Sequence, residues 1–329
     1  MTIRVKQSPS DGQLVSSSQV REWLNRSGIR TVGCAFNSVN LAGIEELIAR
    51  NGFVNQVNAY LTYGGELHID ISQRRPVVRL ISERMDFYLT DDGYAFPPPR
   101  ASSLYIPIVT GNYHPPIPPT YTGSVRNYIE AAKRTIDRRI AQIDREKYPF
   151  YQRERTNDEN IRALRRMRIK KGWFESDEVY QRRVEKLRTE KIALRRRYRY
   201  EEHQIEAGIA EVDAKQTIER QKQKKLEKSY EDFSKLITFV KSVEENDFWK
   251  AEIVQIIAST SVSGALEVEL IPRSGNHTVL FGRIENVEQK FDKLLRFYRS
   301  GLNNLGWDRY RTIDVRYADQ IVCVKNKTR

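Results

Sequence analysis

Two cysteines and four histidines are all that 329 residues hold of the side chains that most often ligate metals. Cys34 and Cys323 lie far apart and match no metal spacing. Cys323 sits in "QIVCVK", where it reads as a small core hydrophobe. His68, His114, His203 and His277 show no ligand spacing either. No glycine-rich phosphate loop occurs, and no Cys/His or paired-carboxylate motif is recognisable. No metal, cofactor or catalytic residue is therefore expected. No stretch of eighteen apolar residues is present, so no segment reads as a bilayer-spanning helix. The start, Met1-Thr-Ile-Arg-Val, resembles neither a signal peptide nor a targeting helix and reads as a strand from the outset.

What the chain does have is charge. At 30% charged residues, mean hydropathy is -0.63 and the formal net charge is +13. Residues 125–232 carry +9 of it, leaving +4 for the rest. A basic run of this kind is usually a solvated helix face, which ranks above nucleic-acid binding.

Along the chain, residues 2–72 read as β-α-α-β-β. Thr2 to Lys6 alternates as a strand, and Ser18 can cap a helix carrying Val20, Trp23 and Leu24. Asn40 can cap a second helix with Leu41, Ile44, Leu47 and Ile48 on one face, and Gly52 stops it. Val54–Tyr63 and Glu66–Ser72 read as strands joined at Gly64-Gly65. The second puts Leu67, Ile69 and Ile71 on a core face and turns His68 and Asp70 outward.

Gln73-Arg74-Arg75-Pro76 then interrupts the pattern. The arginines read as solvated, and Pro76 as a block to continuing the first sheet. Val77 onward enters a second core. Val77–Ile81, Phe87–Thr90 and Leu104–Val109 read as its strands, followed by extended proline-rich punctuation at Pro97-Pro98-Pro99 and His114–Pro119.

From about Gly123 the period becomes helical. Val125, Ile129, Ala132, Ile136, Ile140 and Ile143 form one face, ended by Pro149, and Asn157–Lys171 reads as a short basic helix. Val184, Tyr198, Ile205, Val212, Leu226, Phe233 and Val240 share one heptad position, with Tyr180, Leu187, Leu194 and Leu236 in the companion position. The seam is weak at Lys191, Gly208 and Glu219. A continuous helix over 177–245 would reach about 100 Å, and the helix at 124–147 is its simplest antiparallel partner. After Asp247 strands are expected at Trp249–Ala258, Ala265–Ile271 and Thr278–Gly282. A helix at Val287–Arg299 and a hairpin of Thr312–Tyr317 with Gln320–Lys325 follow.

The blocks "FVNQVNAYLTYGGELHIDISQRRPVVRLI", "DFYLTDDGYAFP" and "IPIVTG" resemble the FtsQ/DivIB family of bacterial cell-division proteins, in the style of its Bacteroidetes branch. So do "FWKAEIVQI", "VELIPRSGNHTVLFG", "KFDKLLRFYRSGLNNLGWDRYRTIDVRY" and "QIVCVK" at the far end. The resemblance covers roughly residues 2–111 and 233–327. It implies an α+β protein: a POTRA domain at 1–75, the first part of a mixed β domain and a proline-rich linker at 76–122, and the rest of that domain at 233–329. An α-helical coiled-coil hairpin at 123–232 is inserted, which typical members lack.

The resemblance further implies a non-enzymatic divisome scaffold at the periplasmic face of the inner membrane, held by a single-pass anchor expected upstream of this chain. The POTRA domain would recruit other division proteins. The C-terminal edge would bind FtsB of the FtsB–FtsL pair by strand addition. The family's exposed tyrosine before the last strand corresponds to Tyr317 and the polar residue beyond it to Asp319, and the strand residues are Gln320, Ile321, Val322, Cys323 and Val324. Where well-known members place a tryptophan this chain has Lys325, so the contact leans on backbone pairing.

Two other classes stay in view. Residues 160–200, with Arg165, Arg166, Arg168, Lys170, Lys171 and Arg195–Arg197, offer phosphate contacts to nucleic acid or another polyanion, although little aromatic interleaving reads bases and no nucleic acid is expected. "SGNH" at Ser274–His277 spells a hydrolase class whose letters come from separate sequence blocks; here it reads as a hairpin turn. Trp249, Trp307 and Tyr310 read as core aromatics rather than a glycan platform. The insertion itself suits a further coiled-coil partner, anionic lipid or polysaccharide, or no ligand at all.

Overall fold

A computed structural model describes residues 1–6, 14–82, 85–98, 104–302 and 306–326. Pro99 of the triple proline lies outside the described residues. The chain divides into two compact units, residues 1–129 with 228–329, and residues 130–227.

The first unit contains two sheets. The smaller is built from β1 (Thr2–Lys6), α1 (Ser17–Ser27), α2 (Leu41–Ala49), β2 (Val54–Leu61) and β3 (Leu67–Gln73), with strand order β1-β3-β2. β1 lies parallel to β3, and β2 antiparallel to it. Leu67, Ile69 and Ile71 are buried beneath the helices. His68 and Asp70 take the opposite face, half-buried rather than free: the His68 ring stacks on Tyr60 at 5.4 Å. The cap of α1 is Ser16, not Ser18; its hydroxyl and the Gln19 side chain form a reciprocal capping box. Asn40 caps α2 as expected.

Among the described residues the larger sheet has ten strands, in the order β13-β12-β11-β10-β9-β7-β4-β5-β6-β8. One half comes from β4 (Pro76–Ser82), β5 (Met85–Thr90), β6 (Tyr94–Phe96), β7 (Ile108–Thr110) and β8 (Gly123–Ser124). The other comes from β9 (Ile253–Thr260), β10 (Leu266–Pro272), β11 (Thr278–Arg283), β12 (Tyr310–Asp314) and β13 (Val322–Lys325). Three-residue β7 joins the halves, running parallel to β4 on one side and β9 on the other. The expected strand at Leu104–Val109 is thus much shorter, and only its end enters the ladder.

The junction is more than a break. Arg74 lays its guanidinium 3.4 Å from the centroid of the Tyr94 ring and donates to Gly52 O at 3.0 Å and Asn55 Oδ1 at 3.3 Å. The Gln73 side chain accepts from the Leu14 amide. Arg74 is therefore a cross-sheet tie and not a solvated residue; Arg75 is the exposed one. Tyr88 and Phe96 of the large sheet join the core of the small one, with Phe53 edge-on to Phe96 at 6.5 Å. Leu80, Phe87, Leu89 and Val109 of the large sheet are buried outside that cluster, so Val77 onward enters a different core, from which Tyr88 and Phe96 reach into the first.

Two helices cover the C-terminal half of the large sheet. Phe239, near the end of α5 (Asp177–Glu244), packs on Phe281 and on Phe291 of α7 (Val287–Phe297). The sequence pattern opens a strand at Trp249, but Asn246 accepts from the Phe248 and Trp249 amides and starts α6 (Asp247–Glu252). β9 begins only at Ile253. Trp249 is buried against Phe291 at 4.7 Å, a core aromatic.

In residues 130–227, part of α3 (Val125–Arg145) and then α4 (Tyr148–Arg166) run antiparallel to α5. Pro149 does not simply end a helix. It occupies the first turn of α4, where its missing N–H costs nothing, so the basic helix starts at Tyr148 and stops at Arg166. Cross-helix pairs mark the track: Lys133 with Glu227, Lys147 with Asp213 at 2.6 Å, Arg153 with Glu201 at 2.8 Å, and Asn157 Nδ2 on Tyr198 O at 3.0 Å. Ile205 and Val212 of the heptad seam are buried. Where it turns polar, partners come from both sides: Gln216 bonds Asp144 and Lys147, and buried Glu219 meets Lys222 of its own helix at 2.7 Å and Arg139 of α3 at 3.5 Å. At Gly208 the Phe150 ring fills the space a side chain would take.

Candidate partner-binding edge

β13 closes one side of the large sheet. It pairs with β12 in antiparallel register, Val322 opposite Asp314, Cys323 opposite Ile313, Val324 opposite Thr312 and Lys325 opposite Tyr310. Among the described residues no strand pairs with its other side. Just beyond it, the Asn326 amide donates to Arg309 O at 3.0 Å. Because successive amides of a strand point to opposite sides, the N–H groups of Val324 and Val322 also face β12, while those of Lys325 and Cys323 face outward. Those outward groups are what an added strand would bond.

The side chains at this edge are unusually apolar for a free one. Val322 is 42% exposed, Val324 54% and Tyr317 49%. Natural edges are generally blunted with charge or proline; within β13 only Lys325 does so. Ile321 and Cys323 are half-buried, and burial raises the Cys323 thiol pKa, so it is a packed thiol and not a reactive one. The expected strand from Gln320 is two residues shorter, starting at Val322. Asp319 and Gln320 lie in the exposed loop beside Tyr317.

One residue the sequence reading missed shapes that loop. Lys293 on α7 donates its ammonium to the carbonyls of Val315 at 3.0 Å, Tyr317, Ala318 at 3.4 Å and Gln320 at 3.5 Å. The loop wraps one cation. Burial pulls the Lys293 pKa down, opposed by the Asp319 and Asp314 carboxylates. At the loop's base Arg316 forks onto Asp314. Burial of Asp314 pushes its carboxyl up, but the Arg316 side chain and amide outweigh this and hold it below its ordinary value. A helical lysine gives no sequence signal for this role, since its partners lie more than twenty residues away. Lys293→Met is expected to leave the core folded but accelerate amide exchange over residues 317–325 by about tenfold. Unchanged exchange would show that the loop holds itself.

The tetrapeptide 274–277 is a loop between β10 and β11. The Ser274 hydroxyl donates to Glu252. His277 is buried, with Nε2 2.9 Å from the Tyr298 hydroxyl and Nδ1 without a partner. The serine and histidine thus engage different neighbours, and no nucleophile–base pair forms between them. Burial lowers the His277 pKa to about 4 from 6.5. The unfolded chain therefore takes up a proton that the folded one refuses, so stability present above pH 6.5 falls as pH drops toward 4. The loss is about 3 kcal/mol by linkage. Denaturant titrations should show this slope, and His277→Phe should flatten it; an unchanged slope would place the acid sensitivity elsewhere.

Trp307 lies tilted 6.4 Å from His277 and edge-on to Tyr298 at 5.1 Å, and Tyr310 lies 6.2 Å from Phe297. They are packing aromatics. Arg165 and Arg166 end α4, and Arg195–Arg197 are exposed on α5. Among the described residues no group of three or more His, Cys, Asp or Glu is placed to hold a metal ion, and no helix is long and apolar enough to cross a membrane.

These features define a class: a small β-α-α-β-β domain fused to a mixed sheet that ends on an open strand. A model of the FtsQ/DivIB C-terminal related domain matches residues 213–324. A POTRA-like domain model matches residues 1–72. The first match begins inside α5, so the end of that helix belongs to the matched domain. No curated protein matches the chain. The FtsQ/DivIB model covers about a third of the sequence and the POTRA-like model about a fifth; together they support an FtsQ/DivIB-family protein and suggest a cell-division scaffold role.

Proposed function

We propose that this protein is a non-enzymatic scaffold of the divisome that holds the FtsB–FtsL pair through its C-terminal edge. FtsB supplies an added strand along β13. The observation that carries this reading is the unpaired outer side of β13, with Tyr317, Val322 and Val324 exposed beside it. Tyr317 provides the aromatic anchor. Asp319, Gln320, Ile321, Cys323 and Lys325 complete the contact, the last placing a cation where the family pattern has an aromatic.

The family relationship supports a location on the periplasmic face of the inner membrane and recruitment of other division proteins by the POTRA domain. The working division of labour is residues 1–75 for recruitment, 76–122 and 233–329 for the FtsB–FtsL contact, and 123–232 as a separate helical module. The test is a titration of the 329-residue chain with the purified periplasmic part of its own FtsB–FtsL pair. Saturable binding, with amide protection appearing over residues 317–325, is expected. Binding with protection confined to another surface would overturn the assignment of the edge.

A further inference from the structure

The turn between α4 and α5 carries an unusual pair. Trp173 and Phe174 are adjacent and fully solvent-exposed, at 98% and 103% of their reference areas. Aromatic side chains bury about 150–250 Å² each when covered, so leaving two in water together forgoes a large apolar gain. Isolated exposed apolar residues are ordinary; an adjacent pair at a turn is a patch that needs a partner. Met167 is also exposed nearby, at the end of α4.

The surroundings identify that partner. Residues 165–171 hold five cations, Arg165, Arg166, Arg168, Lys170 and Lys171, and no carboxylate. Of the three acids that follow, Glu175, Asp177 and Glu178, the first two are engaged. Asp177 pairs with Lys171. Glu175 accepts from the Gly172 amide at 2.9 Å and from Arg183 at 2.8 Å, and these bonds hold its carboxyl below its ordinary value. Among the described residues Arg165, Arg166, Arg168 and Lys170 have no ion pair. The Glu175 bonds also staple the turn, and Lys191 donates to Met167 O at 2.6 Å, so the aromatics are presented by a braced structure.

We propose that this turn docks on an anionic phospholipid bilayer surface, with Trp173 and Phe174 in the interfacial layer and the 165–170 cations over the headgroups. Trp is the side chain most suited to the lipid–water boundary, and clustered Lys/Arg supply the attraction to acidic lipid. Two concavities in this unit lie along the helix pair, lined by Arg139, Ile143 and Lys215 and by Arg153, Asn157 and Tyr198. A flat surface needs no concavity.

The test is flotation of the whole chain with vesicles of phosphatidylcholine, with and without about a third phosphatidylglycerol. Flotation is expected only with the anionic vesicles, weakening as salt rises. The Trp173→Ser/Phe174→Ser and Arg166→Glu/Lys170→Glu variants should each lower partitioning at least about tenfold. Both pairs are exposed, so circular dichroism and melting should match the parent, and Trp173→Phe should retain most of the binding. No flotation, or flotation unaffected by removing the aromatics, overturns the proposal. So does binding of a single-stranded oligonucleotide in place of the vesicles, which would make the turn a stacking platform.

Discussion

Cys323→Pro is expected to weaken binding of the FtsB–FtsL pair at least about tenfold while the sheet stays folded. The amide of Cys323 faces away from β12, so proline there removes no bond of the existing ladder. Its ring sits where the incoming strand must approach and deletes one of the N–H donors that strand would use. One lost backbone hydrogen bond and a steric block together exceed the 1.4 kcal/mol of a tenfold change. Val322→Pro makes the opposite comparison: that amide faces β12, so the variant should fray β13 and lower the melting temperature. Cys323→Ala and Val324→Thr keep the backbone and should change affinity only a few-fold. Isothermal titration of the four variants separates the cases. Undiminished binding by a folded Cys323→Pro protein would sink the strand-addition reading and move the contact to another surface.

Gly208→Leu is expected to destabilise the helical unit by about 1–3 kcal/mol, the usual range for overpacking. On propensity alone the change should help, because a helix-interior glycine costs about 1 kcal/mol relative to alanine. Packing decides the sign. A Cβ at Gly208 would lie 2.1 Å from Phe150 Cε1 and 2.5 Å from Cζ, so the ring or the helix must move. Phe150 stands half-buried in the first turn of α4, next to Pro149. Phe150→Ala in the same chain should recover most of the loss. Urea melts of the two single variants and the double one, followed by helical ellipticity, give the coupling directly. A Gly208→Leu protein as stable as the parent would mean that the ring relaxes freely.

The two cases differ in how far they were visible in the residue order. The weak heptad position at Gly208 stood out as a gap, but nothing local says that Phe150, fifty-eight positions earlier, fills it. Polar Glu219 was likewise a defect until Arg139 and Lys222 were found beside it. The open edge at β13 was legible in outline, because "QIVCVK" reads as the last strand of a hairpin with Thr312–Tyr317. Its length was overestimated, since Gln320 and Ile321 alternate as a strand should but are held in the loop that Lys293 gathers. The short helix at Asp247 is hidden in the residue order because its apolar residues suit a strand equally, and only the Asn246 cap marks it.

Local periodicity and caps settle which segments are helix or strand, because the forces involved act within a few residues: the alternation of Leu67, Ile69 and Ile71, the Asn40 cap, the heptads of α5. What the chain order leaves open is adjacency. Three-residue β7 has no sequence signature that places it between β4 and β9, its register partners Arg79 and Gln255 being far apart in the chain. Arg74 reads as a solvated cation until Tyr94 and Gly52 arrive around it. These choices rest on shape and charge matching between distant surfaces, which exist only after the chain has folded.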